Sequence, residues 1–374
     1  MILVILYSAL LLMGMLFSQF GNLSGAGDVI STLTMTCLAY IMIEVGLEFT
    51  IDKKKLKTFG WDYLVAMTAA TFPWVLCALY FVFFMDAGWV ESWFVGRFAA
   101  PTSAGILFSM LAAVGLGTTW LFKKVRVLAI FDDLDTILLM IPLQMMVVGV
   151  KPELIVIIFV IIFLLSAAYK WLHTLKIPTG KRWLLAYGAL IVGVCELIEK
   201  SVHVHLEVLL PAFALGCIIF NPHDPDQTED HRHEHEYLEP EGRMSLIVDR
   251  AVKGSFMFLV GCSLPKIDFG EFQMGTMLIH IVAITFLANL GKCFPAFCYR
   301  KEASLKERIA VFISMLPRGE VGAGVLLVAM SYGFTGVISV VAALSLAINL
   351  LMTGLFISAV IWLLKSQARS GQSG

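Results

Sequence analysis

The stretch "LAIFDDLDTILLMIPLQ", residues 128–144, places two adjacent carboxylates, Asp132 and Asp133, and a third, Asp135, between flanks apolar enough for a lipid bilayer. A charge at bilayer depth is costly and marks a site. The rest of the chain gives the stretch its setting. Of 374 residues, 59% are hydrophobic and 15% charged, where a soluble domain would carry about 25% charged residues. Apolar runs of about 20 residues, each long enough to cross a hydrocarbon core of about 30 Å, recur along the sequence. The class is therefore an all-α integral membrane protein. The net charge of −1 says nothing about partners. No cofactor and no nucleic-acid partner is expected. Met1–Phe20 lacks a basic start and reads as the first helix rather than a leader. The seven cysteines lie mostly in apolar runs without a CxxC and read as packing residues.

Twelve spans are expected, at 1–20, 29–49, 62–85, 92–117, 126–149, 153–172, 182–200, 206–220, 247–263, 276–299, 308–332 and 335–364. Positive charge orients them. Lys53, Lys54, Lys55 and Lys57, then Lys123, Lys124 and Arg126, then Lys170, Lys176, Lys181 and Arg182, then Arg300, Lys301, Lys306 and Arg308 fall in loops on one face, with Lys365 and Arg369 in the tail. The other face holds Lys151, Lys200 and Lys266. This bias predicts cytoplasmic basic loops and cytoplasmic termini. The longest loop, within 221–246, is acidic and carries His223, His231, His233 and His235, which suit either a pH sensor, a weak metal site or a solvated connection.

Other intramembrane charges are Lys292 in the tenth span and Arg318 and Glu320 in the eleventh; Glu44 and Glu48 lie near the end of the second and read as interfacial. Asp132 and Lys292 are expected at similar depth, where a carboxylate–ammonium pair would relieve the burial cost of both. Helix breakers sit in two spans: "AAPTSAG", with Pro101, Thr102, Ser103 and Gly105 in the fourth, and "LPRGEVGAG", with Pro317, Gly319, Gly322 and Gly324 in the eleventh. Non-helical backbone at membrane depth is tolerated where it faces protein or a wet cavity. Paired broken helices point to a transporter's binding site. The fourth span is the middle of the triplet 3–5 and the eleventh the middle of 10–12, and the triplets enter the membrane from opposite sides. Adjacent carboxylates beside broken helices can take a small hard cation through oxygen ligands. They can take protons instead, because burial and like charge oppose double ionisation. Competition of cation and proton for one site is the minimal chemistry of exchange.

On these residues the chain resembles the cation/proton antiporter superfamily, in the branch that holds bacterial sodium/proton antiporters and the potassium efflux antiporters. "GLEFT" at 46–50, "PTSAGI" at 101–106, "FDD" at 131–133, "FMFLVGCSLP" at 256–265, "GK" at 291–292 and "PRGEVG" at 317–322 stand in the family's order. The resemblance implies an inverted-repeat fold with crossing broken helices 4 and 11. It implies a core of 61–150 and 271–366, scaffold and dimerisation helices in 1–60, and linker and scaffold helices in 151–270; residues 367–374 read as a disordered tail. It makes Asp133 the main carboxylate for Na⁺ and H⁺, and Asp132 the partner of Lys292, with Thr102 and Ser103 offering oxygens. It further implies a homodimer in a bacterial inner membrane, electrogenic exchange of Na⁺ or Li⁺ for H⁺, and K⁺ as an alternative cation. Asp135 departs from the pattern; it could pair with Arg318 or add a protonation site, with Arg318 and Glu320 as structural or gating residues. Pro101 stands where a small residue is expected, and the nucleotide-binding domain of the potassium efflux members is missing. A sodium-coupled symporter of an organic anion is the nearest rival. An intramembrane aspartyl protease would need its aspartates on facing helices.

Overall fold

A computed structural model describes residues 2–21, 26–48, 56–103, 119–148, 170–202, 208–220, 243–263 and 274–371, with isolated residues between 107–116 and 163–167. Twelve α-helices occur among them: α1 (Ile2–Phe20), α2 (Gly27–Glu48), α3 (Leu56–Phe84), α4 (Trp89–Gly96), α5 (Trp120–Val148), α6 (Lys181–Val202), α7 (Leu209–Ile218), α8 (Arg243–Ser263), α9 (Met274–Gly291), α10 (Leu305–Ser314), α11 (Glu320–Ser331) and α12 (Val337–Gly371). No strand occurs among the described residues. Most of the sixth expected span, the His-bearing segment 221–242 and Gly105 lie outside the described residues.

Several boundaries move. The eleventh span is two helices, α10 and α11. The fourth begins as α4 and passes through a 3₁₀ turn, Arg97–Ala99. The fifth begins at Trp120, six residues early, so Lys123, Lys124 and Arg126 lie on α5 and not in a loop. The tenth ends at Gly291, so Lys292 stands just past the C-terminus of α9. Helical backbone continues in α12 to Gly371, into the tail expected to be disordered.

Four described helices are long and apolar enough to cross a membrane. Phe20, Phe84, Leu190, Ile279 and Trp362 turn large apolar surface outward, while Arg97, Asp132, Asp133, Lys292 and Arg318 are wholly buried. A soluble protein avoids such outward patches, and a membrane bundle keeps its charges inside.

The chain divides into two compact units, one of 1–23, 55–147 and 260–374 and one of 24–54 and 148–259. In the second unit α2 packs on α6 and α7. Gly46 and Gly216 permit the crossing: a Cβ on Gly46 would lie 2.2 Å from the Phe213 carbonyl oxygen, and one on Gly216 equally close to that of Ile43. Glu44, expected to be interfacial, is largely buried. It contacts Lys181 and lies 2.9 Å from Lys253, which also reaches Asp249 at 2.8 Å. The Tyr40 hydroxyl lies 3.0 Å from Glu44 and 3.2 Å from Asp249. These residues tie α2, α6 and α8 together. The side chain of Glu48 lies outside the described residues.

In the first unit α3 packs on α4 and α9, and α12 packs on α1, α9 and α10. Lys124 of α5 donates to both oxygens of buried Asp62 on α3, at 3.1 and 3.2 Å, and Tyr299 donates to Asp62 at 2.7 Å. Tyr299 holds a positive φ of 57° to do so, a conformation a non-glycine residue keeps only when its surroundings impose it. Where α9 ends, Gly291 lies against Pro73 of α3; a Cβ there would sit 2.4 Å from the Pro73 Cα and N. Backbone cannot move aside as a side-chain tip can. Gly291→Ala is therefore expected to destabilise by about 1–3 kcal/mol through overpacking. Because Lys292 follows directly, transport should fall as well. Thermal melting in detergent and proton flux in vesicles would check both; an unchanged melt would mean that α9 shifts freely.

Candidate functional site

The two interruptions meet. After the Arg97–Ala99 turn, Pro101, Thr102 and Ser103 run as irregular backbone, and all three are buried. Among the described residues only the Ser103 carbonyl accepts a helical bond, from the Leu107 N–H at 3.1 Å. Between α10 and α11, Met315–Gly319 form a second buried irregular stretch. It is tied to the helices at its ends, where the Met315 N–H donates to the Val311 carbonyl at 3.1 Å and the Gly319 carbonyl accepts from the Ala323 N–H at 3.0 Å. Proline contributes to both breaks, since it lacks an N–H and clashes with the preceding turn. It does so together with neighbouring glycines, because Pro73 and Pro142 sit inside α3 and α5 without ending them. The backbone groups freed by one break satisfy those of the other. The Ser103 N–H donates to the Pro317 carbonyl at 2.8 Å. The Met315 carbonyl, at the C-terminal end of α10, lies 3.2 Å from Thr102 Oγ1. Such an end carries partial negative charge.

Lys292 reaches into this crossing with no exposed surface. Its ammonium donates to the Ala100 carbonyl at 2.5 Å, to Asp132 Oδ2 at 2.5 Å and to Thr102 Oγ1 at 3.1 Å. An ammonium has three donors, and all three are used. Thr102 Oγ1 in turn donates to Asp132 Oδ2 at 2.7 Å. Asp132 Oδ1 is buried with no hydrogen-bond partner among the described residues. Asp133, also fully buried, lies within electrostatic range of Lys292. Asp132 is the thirteenth of the 29 residues of α5, so the carboxylates sit mid-helix.

Arg318 does not meet Asp135. Its guanidinium donates to the carbonyls of Ala99 at 2.8 Å, Ala288 at 2.6 Å and Leu316 at 3.2 Å, and to Asn289 Oδ1 at 2.8 Å. It pins the first break, the end of α9 and its own break together, and Asn349 of α12 lies 3.0 Å from the same Asn289 oxygen. The carboxyl of Asp135 faces Arg97, whose Nη2 is 3.5 Å from Asp135 Oδ2 and donates to the Asp135 carbonyl at 2.7 Å. The reason is position: Arg97 leads into the first break beside α5, whereas Arg318 is turned toward α9. Glu320 opens α11, and its side chain lies outside the described residues.

Thus Asp132, Thr102 and Lys292 come together, with Asp133 and Ser103 in the same buried crossing and Arg318 beside it. The sequence reading missed Arg97 and Asp62. Both carried a signal, being charged residues inside expected apolar spans.

No curated protein is similar enough to the chain to count as a match. In fold the chain is similar to the sodium proton antiporter MjNhaP1 from Methanocaldococcus jannaschii, solved at pH 8, with a TM-score of 0.63 and 14% identity over 96% of this chain and 92% of that one. That likeness bears on the fold, the inverted-repeat antiporter architecture with two broken, crossing helices. A family model described as "Sodium/hydrogen exchanger, transmembrane" matches residues 5–364, nearly the whole sequence. The chain belongs to the sodium/hydrogen exchanger family, a multi-pass membrane transporter that exchanges Na⁺ for H⁺.

Proposed function

We propose that exchange runs through Asp133 by alternating access, with Asp132 and Lys292 as the coupled charge pair. The observation that carries this reading is the Asp132–Lys292 pair, bonded through Thr102 at the crossing of the two broken helices. Asp133, Asp132 Oδ1 and the oxygens of Thr102 and Ser103 supply hard oxygen donors of the kind a small cation selects. When Na⁺ or protons reach the carboxylates, the hold of Asp132 on Lys292 weakens and the ammonium is released from the crossing. Two carboxylates and one lysine that changes partner support electrogenic exchange, with more than one proton per Na⁺. Li⁺, a small hard cation too, would substitute.

The core repeats, 61–150 and 271–366, would move against a scaffold of 1–60 and 151–270 in a homodimer. The positive loops support cytoplasmic termini in a bacterial inner membrane. Protons flowing inward would then drive Na⁺ out.

Sealed proteoliposomes with an internal pH dye test the reading. Na⁺, Li⁺ and K⁺ are added in turn, with and without an imposed membrane potential. Proton movement with Na⁺ and Li⁺ that responds to the potential is expected. Movement with K⁺ alone would make the protein a potassium exchanger, and indifference to the potential would remove the electrogenic stoichiometry.

A further inference from the structure

Arg97 is a wholly buried guanidinium one turn ahead of the first break. It is a clamp: it donates to the Asp135 carbonyl of α5 at 2.7 Å, and its carbon lies 4.5 Å from the centre of the Trp74 ring. The clamp brings a permanent positive charge into the core, because arginine stays protonated in proteins. Its Nε and Nη1 find no hydrogen-bond partner among the described residues. The one carboxylate within 4 Å among them is Asp135, at 3.5 Å and itself only 3% exposed. Asp135 Oδ2 accepts no hydrogen bond there.

A pair built for rigidity would be short and fully satisfied. This one is 3.5 Å long and leaves Arg97 Nε, Arg97 Nη1 and Asp135 Oδ2 without hydrogen-bond partners among the described residues, while Asp135 is also hydrogen-bonded by Tyr63. The contribution of the Arg97 contact is therefore the cancellation of charge rather than a tight bond. The place of the cancellation matters. Asp135 is one helical turn from Asp132 on α5, and Arg97 lies within electrostatic range of both Asp135 and Asp132, as Lys292 does of Asp135. An uncancelled Arg97 would repel any cation approaching Asp132 and Asp133.

We infer that Asp135 is the counter-charge of Arg97: it neutralises the clamp on the first break, and so sets the affinity of the neighbouring carboxylate pair for the incoming cation. Asp135 is thus a positioning and affinity-setting residue that need not touch the ion. The inference rests on the proposal that Asp132 and Asp133 form the cation site.

The experiment measures the Na⁺ concentration giving half-maximal proton movement in proteoliposomes for four variants, each checked for thermal melting in detergent. Asp135→Asn is expected to raise that concentration about tenfold, the effect of one unit charge several ångströms away at an intermediate effective dielectric. Adding Arg97→Gln to Asp135→Asn should bring it back to within about threefold of the original, since no charge is left to cancel. Adding Arg97→Lys instead keeps the charge and should leave it raised. Arg97→Gln alone should not raise it as Asp135→Asn does, because an unpartnered buried carboxyl can take a proton. Equal impairment of Asp135→Asn and Asp135→Asn/Arg97→Gln would overturn the inference and leave a structural pair, as would an unaltered response of Asp135→Asn. If instead Asp133→Asn, assayed alongside, keeps the original response to Na⁺, the cation-site reading fails first.

Discussion

Asp133→Asn is expected to abolish cation-triggered proton movement while leaving the protein folded. The substitution changes one buried atom and almost no volume, so packing around α5 is kept. What it removes is a charge that can exchange a proton for a cation. An amide oxygen still offers a lone pair, but a unit charge about 4 Å away at an effective dielectric of about 20 is worth about 4 kcal/mol, or about a thousandfold in affinity. Binding and coupling fail together, because the amide takes no proton in the working range. Stability should move the other way. A buried carboxylate carries a desolvation cost that the amide lacks, so the melting temperature of the variant without Na⁺ should match or exceed that of the original. Adding Na⁺ should raise the melting temperature of the original, since a ligand that binds only the folded state stabilises it, and should leave that of Asp133→Asn unmoved. Retained antiport in Asp133→Asn would transfer the carrier role to another carboxylate.

The parts of this site that were legible in the sequence are those whose physical cost is high. Carboxylates in "FDDLD" cannot lie in lipid, so they had to mark the core of the bundle. Pro101 and Pro317 stand with glycines in short clusters of helix breakers, unlike the lone Pro73 and Pro142 that α3 and α5 carry without a break. Two interruptions were therefore readable, and each had to find partners for its freed backbone groups. Lys292 had to meet a carboxylate; its depth pointed to the aspartates of α5, and the family resemblance singled out Asp132. What was not legible depends on which neighbour a helix turns toward. Arg318 and Arg97 both flank breaks and are alike on paper; the fold gives Asp135 to Arg97 and surrounds Arg318 with carbonyls and Asn289. Lys124 sits in a cluster of basic residues of the kind that marks a loop, yet α5 begins at Trp120 and carries it. Its buried partner Asp62 lies on another helix, and no periodicity within one segment could disclose that contact. Glu44 looked interfacial because it stands near the end of α2, yet Lys181 and Lys253 converge on it from α6 and α8.

Lys292→Met is expected to be the most destabilising single change in the core. Methionine fills most of the volume, so the effect isolates the ammonium. Its removal strips three acceptors at once: the Ala100 carbonyl, Thr102 Oγ1 and Asp132 Oδ2. The heaviest loss is at Asp132, which stays fully buried with its main counter-charge gone. Breaking one side of a buried ion pair costs about 3–5 kcal/mol, whereas removing both charges together is far milder. Lys292→Met should therefore melt well below the original, and Asp132→Asn/Lys292→Met should recover most of the difference. Recovery will be incomplete, since the Ala100 carbonyl at the first break keeps no donor from this residue, at a cost of about 1–3 kcal/mol for an unmet buried acceptor. Transport should not recover in the double variant, because the pair that responds to cation and proton is gone. A double variant no more stable than Lys292→Met would show that the lysine acts chiefly through the Ala100 carbonyl, and that the ion pair contributes little to holding the crossing.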